Sequence, residues 1–187
     1  MRKVIISEMV SLDGFYARPN GDIDWFVVDD GFFKYSKDLL TQVDTQLYGR
    51  ITYEGMESYW TTAQAAAEND PGITDPMNEM SKVVFSKTLE KVVWKHSRLT
   101  HNDPAEEVAR LKNEAGKDMV IYGSGRLVQT LMKHGLIDEY QIIVCPVILG
   151  GGKPLFSSID DKLSLTLLKT TVFDCGSVLF YYQPKQA

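Results

Sequence analysis

Met119-Val120-Ile121-Tyr122-Gly123-Ser124-Gly125-Arg126-Leu127-Val128 runs strand-forming, largely apolar residues into two glycines one residue apart. Residues 126–133 continue with apolar side chains at helical spacing, so the stretch predicts a strand, a tight turn and a helix. Glycine permits positive φ and leaves no Cβ between the backbone and a ligand. The first N–H groups of a helix have no intrahelical partner and the helix dipole adds partial positive charge, which together make an anion seat. An ordinary turn that needs small residues would read the same way, so the neighbours of this turn must decide.

Upstream, Lys3–Val10 begins with a nearly continuous apolar run, as a buried central strand would. Residues 11–22, rich in turn formers, read as a long loop beside Trp25 and Phe26, which either cap the core or wall a pocket for a planar ring. Asp29 or Asp30 caps a helix running to about Val43, with Phe32, Phe33, Ser36, Leu39, Leu40 and Val43 as its inward stripe. Gln46-Leu47-Tyr48 is a second strand, and Gly49-Arg50-Ile51-Thr52-Tyr53-Glu54 opens a helix toward Tyr59 and Trp60. Thr61 to Pro76 reads as a loop with one short helix. Lys82–Phe85 is a third strand, followed by Ser86-Lys87-Thr88, and Lys91–Trp94 is a fourth. Asp103-Pro104 has the N-cap and first-turn-proline pattern of a helix reaching Ala115.

Downstream, the helix after the glycine turn stops at Gly135. Glu139 to Leu149 is one long strand with a bulge or edge position at Pro146, and Gly150-Gly151-Gly152 must turn sharply or admit a close neighbour. Leu163–Phe173 and Ser177–Gln183 form an antiparallel pair joined by Asp174-Cys175-Gly176. The order predicts one α/β domain over residues 1–187, a layered sandwich with a mostly parallel central sheet and antiparallel C-terminal strands.

Composition narrows the function classes. A net charge of −5 without a long basic run argues against a nucleic-acid partner. No run of about 18 apolar residues exists for a membrane span, and the early charges of Met1-Arg2-Lys3 leave a cytoplasmic protein as the expectation. Cys145 and Cys175 are too few for a disulfide framework, and His96, His101 and His134 lack metal-ligand spacing, so no metal is expected.

Three strand ends carry phosphate-compatible groups: Gly49-Arg50 with Thr52, Ser86-Lys87, and Gly123-Ser124-Gly125-Arg126. Such ends share one edge of a parallel sheet, where a dinucleotide could span them. The turn is not the Rossmann fingerprint, because Val128 fills the third glycine position. Arg50 and Lys87, with no evident ribose carboxylate, favour NADP over NAD.

Together with Ser11-Leu12-Asp13-Gly14 and residues 146–156, Pro-Val-Ile-Leu-Gly-Gly-Gly-Lys-Pro-Leu-Phe, these motifs resemble the dihydrofolate reductase-like fold. The closer resemblance is to the branch containing the reductase domain of bacterial riboflavin biosynthesis, and it spans nearly the whole chain. It implies NADPH binding and hydride delivery to a small heterocycle, either pterin-like or 5-amino-6-(5-phosphoribosylamino)uracil-like. By that resemblance Gly49, Arg50 and Thr52 hold cofactor phosphates, Ser86 and Lys87 the 2′-phosphate, and Gly123, Ser124, Gly125, Arg126 and Leu127 the pyrophosphate. It also places Ser11, Asp13, Phe15 and Tyr16 near nicotinamide and substrate, makes Trp25 and Tyr53 pocket walls, and implies a homodimer.

Two departures bear on the substrate. Dihydrofolate reductases place a carboxylate on the pocket face of the first helix, where this chain has Phe32 and Phe33. The zinc deaminase motifs that accompany the riboflavin reductase, His-x-Glu and Pro-Cys-x-x-Cys, do not occur. Asp13 is the candidate polar orienter or proton relay; its other reading is a cap on its own turn. A non-catalytic NADP(H)-binding module and a transferase for another nucleotide or S-adenosylmethionine stand as alternatives.

Overall fold

The computed structural model describes residues 1–157, 159 and 161–185. Val4–Ser11 forms β1, buried along its whole length. Strand alternation sends its side chains to two faces. Val4, Ile6 and Val10 join one apolar cluster, while Ile5 and Met9 join another on the opposite face.

Six further strands share the sheet with β1 and β3 (Val43–Gly49): β4 (Ser81–Phe85), β5 (Ser97–Thr100), β6 (Asp118–Tyr122), β7 (Glu139–Cys145), β9 (Leu165–Val172) and β10 (Val178–Pro184). Their order is β5-β4-β3-β6-β1-β7-β10-β9. From β5 to β7 all neighbours are parallel, and β10 runs antiparallel to both β7 and β9. Helices α1 (Asp30–Gln42), α2 (Arg50–Trp60) and α4 (Pro71–Glu79) cover one face, through Leu40, Tyr53 and Met77 packed on Tyr48 and Val84. Helices α5 (Pro104–Lys112) and α6 (Gly125–Lys133) cover the other, through Val108, Leu111, Val128 and Leu131 packed on Leu47 and Val83. The result is an α/β sandwich of three layers with antiparallel strands at its C-terminal edge, as the element order implies.

One topological feature positions the site. The chain runs outward from β3 to β4 and β5, then returns so that β6 inserts between β3 and β1. At such a reversal the loops leaving adjacent strands diverge and open a crevice at the carboxyl ends.

The structure corrects five local expectations. Residues 11–22 are not all loop, because Phe15–Ala17 forms β2 and pairs with β8 (Lys153–Pro154). The glycine run makes this possible: a Cβ on Gly152 would lie 2.4 Å from the Ala17 carbonyl oxygen. Lys91–Trp94 is not a strand, since the N–H groups of Val93 and Trp94 donate to the Tyr53 hydroxyl at 3.0 and 2.9 Å instead of to a ladder. Residues 61–76 hold two helix starts, α3 (Ala63–Glu68) and α4, capped by Thr62 and Asp70, with Pro71 at a first-turn position that needs no donor. β7 stops at Cys145, because Pro146 has no N–H for the ladder. On α1 the buried residues are Tyr35, Leu39 and Leu40, while Phe33 is 38% exposed.

Candidate functional site

The carboxyl ends of β4, β3, β6 and β1, neighbours in that order, carry Ser86-Lys87, Gly49 to Thr52, Gly123 to Leu127, and Glu8 to Ser11. Adjacent strands lie about 4.8 Å apart, so the row spans roughly 14 Å.

Helix capping marks two positions in this row. Among the described residues, α1, α3, α4 and α5 have N-caps whose side chains accept a backbone N–H: Asp29, Thr62, Asp70 and Asp103. The N-caps of α2 and α6, Gly49 and Ser124, make no such bond. These two helices begin at the ends of the adjacent strands β3 and β6, so two sets of first-turn N–H groups and two positive dipole ends converge. The turns are also joined, because Gly49 N–H donates to Ser124 Oγ at 2.8 Å.

Close packing shapes the turn. Gly123 and Ser124 are both left-handed, with φ of 61° and 64°. A Cβ on Gly123 would meet Thr52 at 3.1 Å, and one on Gly125 would meet the Tyr16 ring at 2.7 Å. The structure therefore gathers Gly49, Thr52, Gly123, Ser124, Gly125 and Tyr16 at one place.

The other expected residues spread along and around this edge. Arg50 is exposed and paired with Glu54 at 2.8 Å. Ser86 Oγ accepts from Thr88 and Leu89 N–H, and Lys87 is exposed beside it. Arg126 points to solvent, whereas the Leu127 side chain is in the core and can offer only backbone. Asp13 accepts from the N–H groups of Leu149 and Gly150 at 3.1 and 2.8 Å, clasping the glycine run. The Ser11 hydroxyl, the Leu149 and Gly150 N–H groups hold the Asp13 carboxyl below its ordinary range. Ser11 Oγ also accepts from Phe15 N–H at 3.0 Å. Trp25 is buried on the α1 face, edge-on to Phe26, and its Nε1–H finds no partner among the described residues. Tyr53 lies in a separate aromatic cluster with Tyr48 and Trp94.

Glu8 escaped the sequence reading. It is the only acidic or basic residue of β1, only 7% exposed, and by alternation it faces α6 with Ile6 and Val10. Its Oε2 has no partner among the described residues and would lie 3.8 Å from a Cβ on Gly123. Burial pushes its carboxyl up to about 8, against the opposing pull of the Gly123 and Met9 N–H groups. The nearby Tyr16 phenol is raised by burial and then by the Glu8 charge, with Arg126 acting the other way. A charged residue inside an apolar strand was the available signal, since Glu is seldom buried without a partner.

The opposite face of β1 carries a buried polar chain. Ser7 Oγ and Tyr35 Oη are 2.7 Å apart, Tyr35 donates to Gln141 Oε1 at 2.8 Å, and Gln141 donates to Glu139 at 2.7 Å. Two open depressions of about 500 and 420 Å³ lie at the other, amino-terminal edge of the sheet, lined by residues such as Lys37, Asp44, Lys117 and Arg2. They are remote from the strand ends where a parallel sheet binds its ligands. Among the described residues no His, Cys, Asp and Glu cluster could hold a metal, both cysteines are free, and no helix is long and apolar enough to cross a membrane.

Known proteins resemble this chain over nearly its whole length. The RibD C-terminal domain family matches residues 2–179. The uncharacterized protein YyaP of Bacillus subtilis (strain 168) is 33% identical over 183 residues, covering 97% of this chain and 94% of that protein. A crystal structure from Shewanella sp. PV-4, provisionally assigned to riboflavin biosynthesis, superposes with a TM-score of 0.74 at 26% identity and full coverage of both chains. Dihydrofolate reductase from Enterococcus faecalis, in complex with NADP(H) and RAB-propyl, superposes with a TM-score of 0.65 at 14% identity, covering 98% of this chain and 97% of that one. The fold is dihydrofolate reductase-like.

Proposed function

Because the chain belongs to the RibD C-terminal domain family, we propose that it is an NADPH-dependent reductase of a small heterocycle, pterin-like or 5-amino-6-(5-phosphoribosylamino)uracil-like. The observation that carries this reading is the pair of helix N-termini without side-chain caps, side by side at the topological switch point. A pyrophosphate supplies the acceptors those N–H groups need.

The groups present fit such a cofactor. Gly49, Thr52 and the backbone of Gly123 to Leu127 would hold the pyrophosphate, with Arg50 and Arg126 as flanking cations. Ser86 and Lys87, at the far end of the row, would hold the 2′-phosphate by a charge-assisted contact. Bound NADPH supplies the hydride. Ser11, Phe15 and Tyr16 would border the reacting rings, Asp13 would fix the loop that carries them, and the buried Trp25 would back the pocket wall. A homodimer working in the cytoplasm completes the reading, with light scattering on the purified chain as its check.

The deciding experiment compares cofactors in wild type and Lys87→Glu. Loss of one charge-assisted phosphate contact costs on the order of 1.5–3 kcal/mol, so NADPH should weaken roughly ten- to hundredfold while NADH changes little. Equal losses for both cofactors would show that Lys87 does not read the 2′-phosphate. No binding of NADPH by wild type would remove the reductase assignment.

A further inference from the structure

Glu8 has no role in the reading above, and its position asks for one. It lies on β1, at the end of the row opposite Lys87, beneath the glycine turn that follows β6. Resting on the NADPH reading, we propose that Glu8 in its neutral form holds the carboxamide of the bound nicotinamide, donating its O–H to the carboxamide oxygen.

Strand order leads the nicotinamide half to β1. A dinucleotide with its 2′-phosphate at the end of β4 and its pyrophosphate at the starts of α2 and α6 must bring its remaining half to β1. Glu8 also carries an unpartnered oxygen. Its Oε2 is buried beside the Gly123 turn, 3.8 Å from the position a Cβ there would take, and has no partner among the described residues. A buried polar atom without a partner costs free energy that a ligand group can recover. The two groups also match chemically. A carboxylic acid offers a donor beside an acceptor, and a primary amide offers the reverse pair.

The protonation state follows from the surroundings. Burial raises the carboxyl to about 8, so the acid is neutral at physiological pH. The groups facing it are the Tyr16 phenol on β2, Arg126 at the start of α6 beyond that phenol, and the N–H groups of Met9 and Gly123. From α2 the nearest side chain at the turn is Thr52, which does not titrate.

The test measures dissociation constants for NADPH and for 2′,5′-ADP, which lacks the nicotinamide half, at pH 7 and pH 9.5. Wild type should lose NADPH affinity roughly tenfold or more over that interval as Glu8 ionises, and 2′,5′-ADP should not show this loss. Glu8→Gln, which keeps a donor at every pH, should bind NADPH with the same pH response as 2′,5′-ADP. Parallel pH responses of NADPH and 2′,5′-ADP in wild type, or an unaltered NADPH response in Glu8→Gln, would overturn the contact while leaving the cofactor reading intact. Failure of wild type to bind either nucleotide would instead overturn the cofactor reading, and this contact with it. Should Glu8→Gln not fold, the two nucleotides compared on wild type decide alone.

Discussion

Ser124 Oγ accepts the Gly49 N–H at 2.8 Å, so the residue that starts α6 also fixes the residue that starts α2. Ser124 holds this bond from a left-handed backbone, φ 64°, that costs a non-glycine residue roughly 1 kcal/mol. The two terms can be separated. Ser124→Ala keeps the strain and loses the bond, and should unfold about 1–2 kcal/mol more easily. Ser124→Gly loses the bond but relieves the strain, and should stay within about 0.5 kcal/mol of wild type. Both should weaken NADPH, because the two anion-binding turns are no longer tied. Denaturant unfolding beside nucleotide titration measures each effect, and equal destabilisation by Ala and Gly would show that the backbone is not strained.

Gly125 is required by its neighbour more than by its own φ. A Cβ there would sit 2.7 to 2.8 Å from two ring carbons and the hydroxyl oxygen of Tyr16. Gly125→Ala should therefore cost about 1–3 kcal/mol through overpacking. Removing the ring should return part of that cost, so Tyr16→Ala with Gly125→Ala should be more stable than the sum of the single changes predicts. Additive effects in the double-mutant cycle would mean that the ring moves aside freely.

How much of this was legible in the sequence depends on how local the causes are. β1, the Gly123–Gly125 turn, α6 and the Asp103 cap follow from residues within one turn or strand of each other, and these the sequence predicted, while for α1 it left the cap between Asp29 and Asp30 and the structure selects Asp29. The strand expected at Lys91–Trp94 failed because a tyrosine some forty positions earlier takes its N–H groups. β2 and β8 find each other across a long separation, and only Gly152 in place of any other residue lets them close. Glu8 was visible as a letter, yet its meaning depends on Gly123 and Tyr16 arriving from other strands.

The hydroxyl of Tyr53 gives a direct check on that long-range cause. It is the acceptor for two backbone donors, Val93 and Trp94, in a buried aromatic cluster with Tyr48 and Trp94. Tyr53→Phe keeps the ring and strands both N–H groups. The expected loss is on the order of 1–3 kcal/mol in denaturant unfolding, with faster amide exchange confined to residues 93 and 94. Unchanged exchange at those amides would show that water replaces the hydroxyl without cost.

Glu8 also predicts how stability depends on pH, independently of any ligand. Its folded value of about 8 lies above the ordinary 4.5, so below pH 4.5 the group is neutral in both states and contributes no slope. Between about 4.5 and 8 the unfolded chain releases the proton while the folded chain keeps it, which favours unfolding as pH rises; above 8 both states are ionised and the slope vanishes. The total loss is on the order of 3–5 kcal/mol before relaxation of the buried site reduces it. Opposing contributions come from carboxylates held below their ordinary range, such as Glu107, which Arg110 and then Arg98 lower to about 2, but these act at acid pH, outside this window. The unfolding midpoint of wild type should therefore fall by several degrees between pH 5 and pH 8, at roughly 2–4 °C per kcal/mol for a chain of this size. Glu8→Gln has no proton to release and should remain flat over the same interval. A wild-type slope that survives in Glu8→Gln would assign the titration to another group and return Glu8 to the ordinary carboxylate range.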